Sequence, residues 1–197
     1  MIASLYSLSS SDCHQLGIKD QYGLHKAVYS LFPQVTNESM RDFLFVEKKG
    51  DYDKRIVLIL SKRKPLNPKC GILESKEIGV SFLMSEYYGF EVVLNPTKRD
   101  AATKKVIPLK NEKELHEWFV HKAPTLGFEV IPESLQISDI GVRMFKKGDS
   151  TVTHGTATFI GTLKVTDRAI FVKTFENGIG RAKSFGFGLL QIIPLQK

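Results

Sequence analysis

At 197 residues, 42% of them apolar, the chain has material for one large folded domain or two of about half that size. Its net charge of +7 lies mostly in the half after Tyr88. That surplus favours nucleic acid over membrane, because the sequence has neither a basic amphipathic helix nor an apolar run long enough to span a bilayer. Cys13 and Cys70 lie far apart without paired spacing and read as free thiols of a reducing compartment. The sequence shows no basic leader running into an apolar stretch, so the expected location is cytoplasmic.

Met1 to Leu8 reads as an opening strand with Ile2, Tyr6 and Leu8 on one side. A Ser-rich link leads to Asp20, the expected N-cap of a helix that runs to Phe32 and stops before Pro33. Leu24, Val28, Leu31 and Phe32 form its buried stripe, while Tyr22, His25 and Tyr29 form a neighbouring one. Asp42 to Glu47 and Arg55 to Leu60 are strand-like runs joined by a turn over residues 48–51. Residues 62–76 are rich in Lys and Pro with little periodicity, and Glu77 to Met84 reads as another strand.

The pattern then restarts. Phe90 to Leu94 reads as a strand broken by Asn95-Pro96. Asn111 can cap a helix, with Glu114 at the reciprocal capping-box position and Leu115, Trp118 and Phe119 on its apolar face, and Pro124 and Gly127 bracket its end. Phe128 to Ile131, Gln136 to Phe145 and Thr156 to Thr166 are strands by pattern, followed by a helix over 167–176 and a closing strand over 189–194. Each half approximates β-α-β-β-(α)-β. The expected fold class is therefore α+β, two tandem ferredoxin-like (RRM-like βαββαβ) domains over residues 1–88 and 89–197.

Between the last helix and the last strand lies Gly178-Ile179-Gly180-Arg181-Ala182-Lys183-Ser184-Phe185-Gly186-Phe187-Gly188. Four glycines permit positive φ and close approach, and Arg181, Lys183 and Ser184 suit a phosphate backbone. The stretch is not a P-loop, and Lys183 occupies the third-glycine position of a dinucleotide fingerprint. It matches only the first part of an RNA-recognition signature, and a plain glycine-rich turn stays open as the alternative.

His25 is the residue with chemistry to offer. A side chain titrating near neutrality beside Tyr22 and Lys26 suits proton transfer at an RNA phosphate, where the 2′-hydroxyl supplies the nucleophile and no metal is needed. A helix histidine without a role is the alternative that the residues alone leave open. His116 and His121 stand at i, i+5, off the i, i+4 spacing of a zinc helix. His14 and His154 are expected in loops, and neither a magnesium cluster nor a Ser-His-Asp set is evident. Arg143, Lys146 and Lys147 near a hairpin tip at 148–149, with Lys98, Arg99, Lys104 and Lys105, are candidate contacts to an RNA duplex read by shape. Solvated charged hairpins are the plain alternative.

Several blocks together resemble the CasE family, the endoribonuclease subunit of the type I-E CRISPR Cascade complex. They are Tyr22-x-x-His25-Lys26 with Leu31-Phe32-Pro33, and Arg41-Asp42-Phe43-Leu44-Phe45-x-Glu47-Lys48. Leu94-Asn95-Pro96-x-Lys98, Phe159-x-Gly161-x-Leu163 and the glycine-rich stretch through Leu190 complete them. The resemblance covers nearly the whole chain. It implies tandem ferredoxin-like domains and cleavage of CRISPR repeat RNA in precursor crRNA at the base of its hairpin, with no cofactor or metal. A 2′,3′-cyclic phosphate (or 3′-phosphate) and a 5′-hydroxyl would form. It implies His25 as the catalytic histidine, Tyr22 as its assistant and Lys26 as a phosphate contact. Gly178, Gly180, Arg181, Lys183, Ser184, Gly186 and Gly188 stand as RNA-binding residues. Implied partners are the RNA hairpin, before and after cleavage, and other Cascade subunits. No membrane is involved, and the isolated chain is expected as a monomer. A catalytically silent RNA-binding module and a protein–protein scaffold are the competing readings.

Overall fold

The computed structural model describes residues 1–33, 41–48, 53–99, 101–147 and 150–196, with 145–147 and 150–152 by backbone alone. Strand β1 (Ile2–Ser9) leads into helices α1 (Ser10–Gln15) and α2 (Gln21–Tyr29), then β2 (Phe43–Lys48), β3 (Lys54–Ser61) and β4 (Ile72–Glu77). The strands pair antiparallel in the order β2-β3-β1-β4, the ferredoxin-like arrangement. No helix crosses from β3 to β4. Pro65 and Pro68 in that crossover lack the N–H a helix interior requires, and Tyr6 Oη instead ties the strap down by donating to the Cys70 carbonyl at 2.8 Å.

Side-chain alternation divides this sheet between two cores. Tyr6, Leu8, Phe43, Phe45, Val57 and Ile59 face Leu24, Ala27 and Val28 of α2. Leu44, Val46 and Leu60 point the other way and join the core of the second unit. The unbroken apolar run Phe43 to Val46 follows from that, since both faces of β2 are covered.

The second unit comprises β5 (Tyr87–Leu94), β6 (Thr97–Arg99), β7 (Val106–Pro108), α3 (Glu112–Lys122), β8 (Phe128–Val130), β9 (Gln136–Lys147), β10 (Ser150–Val165), α4 (Arg168–Asn177) and β11 (Gln191–Pro194). Its main sheet has the order β11-β5-β10-β8, with β9 also on β10. β8 and β9 share one ferredoxin-like position: β8 pairs with Leu163 to Val165 and β9 with residues 150 to 160. The 3-10 turn Pro132–Ser134 separates them. Because β5 pairs only with residues 157–164 of β10, the earlier part of β10 and its β9 partner project past the sheet as a two-stranded arm. The chain is thus an α+β protein of tandem ferredoxin-like units, as the sequence pattern implied.

Several local expectations are corrected. The strand expected over 77–84 is instead β4 at 72–77, followed by a 3-10 turn Val80–Leu83. β4 is an edge strand with Ile72 67% exposed, so it carries no alternating signal. The Ser-rich link forms α1, since Ser9 and Asp12 make a reciprocal capping box. His14 lies in that helix and His154 in β10, neither in a loop. α2 ends at Tyr29, although Leu31 and Phe32 are buried as expected. The closing strand begins at Gln191, and the basic stretch forms the small β6–β7 hairpin. The expected turns at 48–51 and 148–149 fall largely outside the described residues.

Candidate active site and nucleic-acid groove

α2 starts at Asp20, whose carboxylate accepts the Gly23 N–H at 2.9 Å. With Leu24, Ala27 and Val28 turned into the core, His25 faces the glycine-rich stretch and the Tyr22 and Tyr29 rings lie beside it. His25 Nδ1 donates to the Ser184 carbonyl at 2.7 Å, and Gln21 Nε2 donates to the Phe185 carbonyl at 3.3 Å. Ring centroids of Tyr29, Phe185 and Tyr22 lie 4.1, 5.2 and 5.7 Å from that of His25. Lys26 is exposed, with Nζ 4.5 Å from the Tyr22 ring centroid. A carbonyl can only accept, so Nδ1 carries the hydrogen and Nε2 of the neutral ring carries the lone pair.

The glycine stretch closes on itself. Ile179 N–H donates to the Gly188 carbonyl and Gly188 N–H to Val93 of β5, both at 2.8 Å. A Cβ at Gly188 would sit 2.3 Å from the Ile179 oxygen, and one at Gly178 2.8 Å from the Gly188 oxygen. These two glycines serve close packing, whereas a Cβ at Gly180 would meet nothing within 4 Å. Gly186 lies against α2 and Phe45. Ser184 is buried and presents its carbonyl to His25. Lys183 Nζ donates to the Asn177 carbonyl at 2.7 Å, at the C-terminal end of α4. Burial, with the Arg41 charge nearby, holds its pKa below the usual lysine value. Arg181 is the exposed cation of the stretch.

A groove of about 640 Å³ runs from Ser184 and Phe185 past His154, Thr153 and Asn95 to Arg181 and Lys110. It is continuous with a pocket of about 220 Å³ that brings together Lys98, Arg99, Arg181, Gly180, Trp118 and Lys122. Within it, Lys98 Nζ pairs with Glu114 at 3.1 Å, and Arg99 Nη1 donates to the Lys104 carbonyl at 3.3 Å. Lys104 and Lys105 are exposed in the β6–β7 turn. Arg143 stands apart from this set: it pairs across strands with His154, and its guanidinium lies over the Phe187 ring at 5.1 Å. Burial lowers its pKa, opposed by the charges of Glu47 and Asp139. Lys146 and Lys147 belong to β9 by backbone, and their side chains are not among those described.

Sequence reasoning missed Phe185, Asn95 and His154. Phe185 ties the site together, lying 5.2 Å from His25 on one side and 5.4 Å from His154 on the other, centroid to centroid. His154 Nδ1 accepts from Asn95 Nδ2 at 3.3 Å, and burial lowers its pKa. The aromatic pair Phe185 and Phe187 between glycines was the available signal for Phe185. His154 gave none, since its place depends on how far the β9–β10 arm extends. Among the described residues no cluster of His, Cys, Asp and Glu could hold a metal ion, and no helix is long and apolar enough to cross a membrane.

The chain is 27% identical over 190 residues to the CRISPR system Cascade subunit CasE of Escherichia coli K12, covering 90% of this chain and 94% of that protein. It is 30% identical over 115 residues to the CRISPR-associated endoribonuclease Cse3 of Thermus thermophilus, across 53% of this chain and 54% of that one. A solved structure of the CRISPR endoribonuclease Cse3 bound to a 19 nt RNA superposes with a TM-score of 0.85 at 20% identity, covering 98% of this chain and 100% of that one. A family model described as CRISPR associated protein matches residues 6–194, nearly the whole chain, and the chain therefore belongs to the CRISPR associated protein family.

Proposed function

We propose that the chain is a metal-independent endoribonuclease that cuts CRISPR repeat RNA in precursor crRNA at the base of its hairpin, then stays on the product as a Cascade subunit. The observation that carries this reading is the His25 Nδ1 to Ser184 carbonyl hydrogen bond of 2.7 Å, which fixes the ring's tautomer and aim. RNA brings its own nucleophile. The 2′-oxygen attacks the adjacent phosphorus, the P–O5′ bond breaks, and a 2′,3′-cyclic phosphate and a 5′-hydroxyl result. His25 Nε2 moves the proton, taking it from the 2′-hydroxyl when neutral or giving it to the departing 5′-oxygen when charged. Tyr22 orders the ring, and Lys26 beside it offers charge to the phosphate. The unit over 1–88 supplies the histidine and the unit over 89–197 the groove, with the join drawn a residue or two earlier because β5 begins at Tyr87.

The experiment is incubation of a labelled repeat hairpin with the protein in EDTA. Cleavage at one position, leaving a 2′,3′-cyclic or 3′-phosphate end, is the expected result. A shifted but intact band would make the chain a silent RNA-binding module. No shift at all would leave a protein–protein scaffold.

A further inference from the structure

The pocket at the far end of the groove has a composition that phosphate contact alone does not call for. Trp118, the chain's single tryptophan, lines it together with Lys122, Arg181 and Gly180. α3 sets Trp118 one turn before Lys122, whose Nζ lies 5.7 Å from the indole centroid. The ring is half-buried, packed on Phe119 and Phe159 at centroid distances of 6.4 and 6.0 Å. Across the pocket the Gly180 backbone stands open, followed by the exposed Arg181. No carboxylate is among the described residues lining it, although Glu114 pairs with Lys98 at its wall.

An anchored indole among cations, beside a space of about 220 Å³, suits the stacking of a single base. Bases within a duplex are stacked on both faces, so a stem presents no free face to a tryptophan. Asn95, Thr97, Val106 and Arg181 line both this pocket and the groove that reaches Ser184 and Phe185, so one RNA strand can occupy both.

We propose that this pocket is a subsite for one unpaired nucleotide flanking the RNA stem, its base against Trp118 and its phosphates at Arg181 and Lys122. The proposal rests on the endoribonuclease reading above and adds recognition of single-stranded RNA beside the hairpin.

The single tryptophan makes it directly measurable. A hairpin with a 2′-deoxy scissile ribose, carrying single-stranded flanks, is titrated while tryptophan emission is followed. The bare stem and flanks with an abasic site stepped through each position serve as comparisons. The flanked hairpin quenches emission and the bare stem does not. One abasic position weakens binding about tenfold, within the range that base–aromatic stacking supplies. Trp118→Leu loses the same tenfold and no longer senses that position. The abasic series on the unaltered protein stands even where Trp118→Leu loosens the core. Tight binding and cleavage with unchanged emission, and no position sensitive to base removal, would overturn the subsite and leave the nuclease reading intact. Quenching without cleavage of the ribose hairpin would overturn the nuclease reading and keep the subsite. No binding of any RNA overturns both.

Discussion

His25 and Ser184 lie 159 positions apart in sequence and meet across 2.7 Å, imidazole N–H to backbone carbonyl. The ring that would move the proton comes from the first sheet unit, and the group that aims it comes from the second. Docking of the two units is therefore part of the site: Gln21 on the Phe185 carbonyl and Leu44 against Gly178 belong to the same contact. Loosening that contact should cost catalysis before it costs RNA affinity.

Gly186→Ala tests this. Gly186 has φ of 83°, and a Cβ there would sit 3.2 Å from Gln21 Nε2 and 3.3 Å from Phe45 Cε2. The left-handed backbone alone costs a non-glycine residue about 1–2 kcal/mol. We expect a lower melting temperature and a single-turnover cleavage rate reduced by about tenfold, with hairpin affinity little changed. His25→Ala sets the floor, losing roughly 10²-fold or more in rate with binding kept. Rate and affinity falling together in both variants would mark α2 as a recognition element.

Arg181 and Lys183 sit two residues apart but should behave differently. Arg181 is exposed in the groove, so Arg181→Ala should weaken RNA binding and reduce the slope of log affinity against log salt by about one. Lys183 is turned to the C-terminal carbonyl of α4, and burial weakens its hold on the proton. Lys183→Ala should cost stability, about 1 kcal/mol for a lost hydrogen bond that solvent partly screens, and leave the salt slope nearly unchanged. Thermal melts and binding at three salt concentrations separate the two outcomes.

These contrasts mark the limit of what the sequence carried. The two α+β units, the cap at Asp20, the stripe of Tyr22, His25 and Tyr29, and the Asn111 cap were legible because each follows from spacing within a few residues. The inward turn of Lys183, the burial of Ser184 and the stacking of Arg143 on Phe187 were not. The place of Ser184 depends on where one unit meets the other, and those of Lys183 and Arg143 on how the glycine-rich stretch folds back within the second unit; a composition of Arg, Lys and Ser between glycines reads the same whether its side chains face solvent or core. β4 escaped for a different reason: an exposed edge strand need not alternate.

His154 gives a pH signature. Burial lowers its folded pKa beneath the usual 6.5, while the unfolded chain keeps that value. Between the two values the unfolded state binds more protons, so stability rises with pH there. The contribution is fully present above about 6.5 and is lost as pH falls below it. Melting temperatures of the unaltered protein should drop between pH 7 and 5 more steeply than those of His154→Gln. Parallel curves would mean that His154 titrates as it does in the unfolded chain.

Ala182 is a non-glycine residue at φ of 59° in the left-handed region, immediately before the turn that presents Ser184 to His25. Replacing it by glycine relieves about 1–2 kcal/mol of backbone strain. The same change adds unfolded-state entropy worth about 0.4–1 kcal/mol and removes a partly buried methyl worth up to about 0.8 kcal/mol. These terms nearly cancel, so Ala182→Gly should leave stability within about 0.5 kcal/mol while freeing the backbone ahead of Ser184, and the cleavage rate should fall. Ala182→Val keeps the entropy term and worsens the strain, since a β-branched residue is a true outlier at positive φ. It should be destabilised relative to the unaltered protein in a denaturant titration. A stabilised Val variant would mean that the turn does not hold its left-handed conformation in solution, and the aim of His25 would then have to be set by its aromatic neighbours alone.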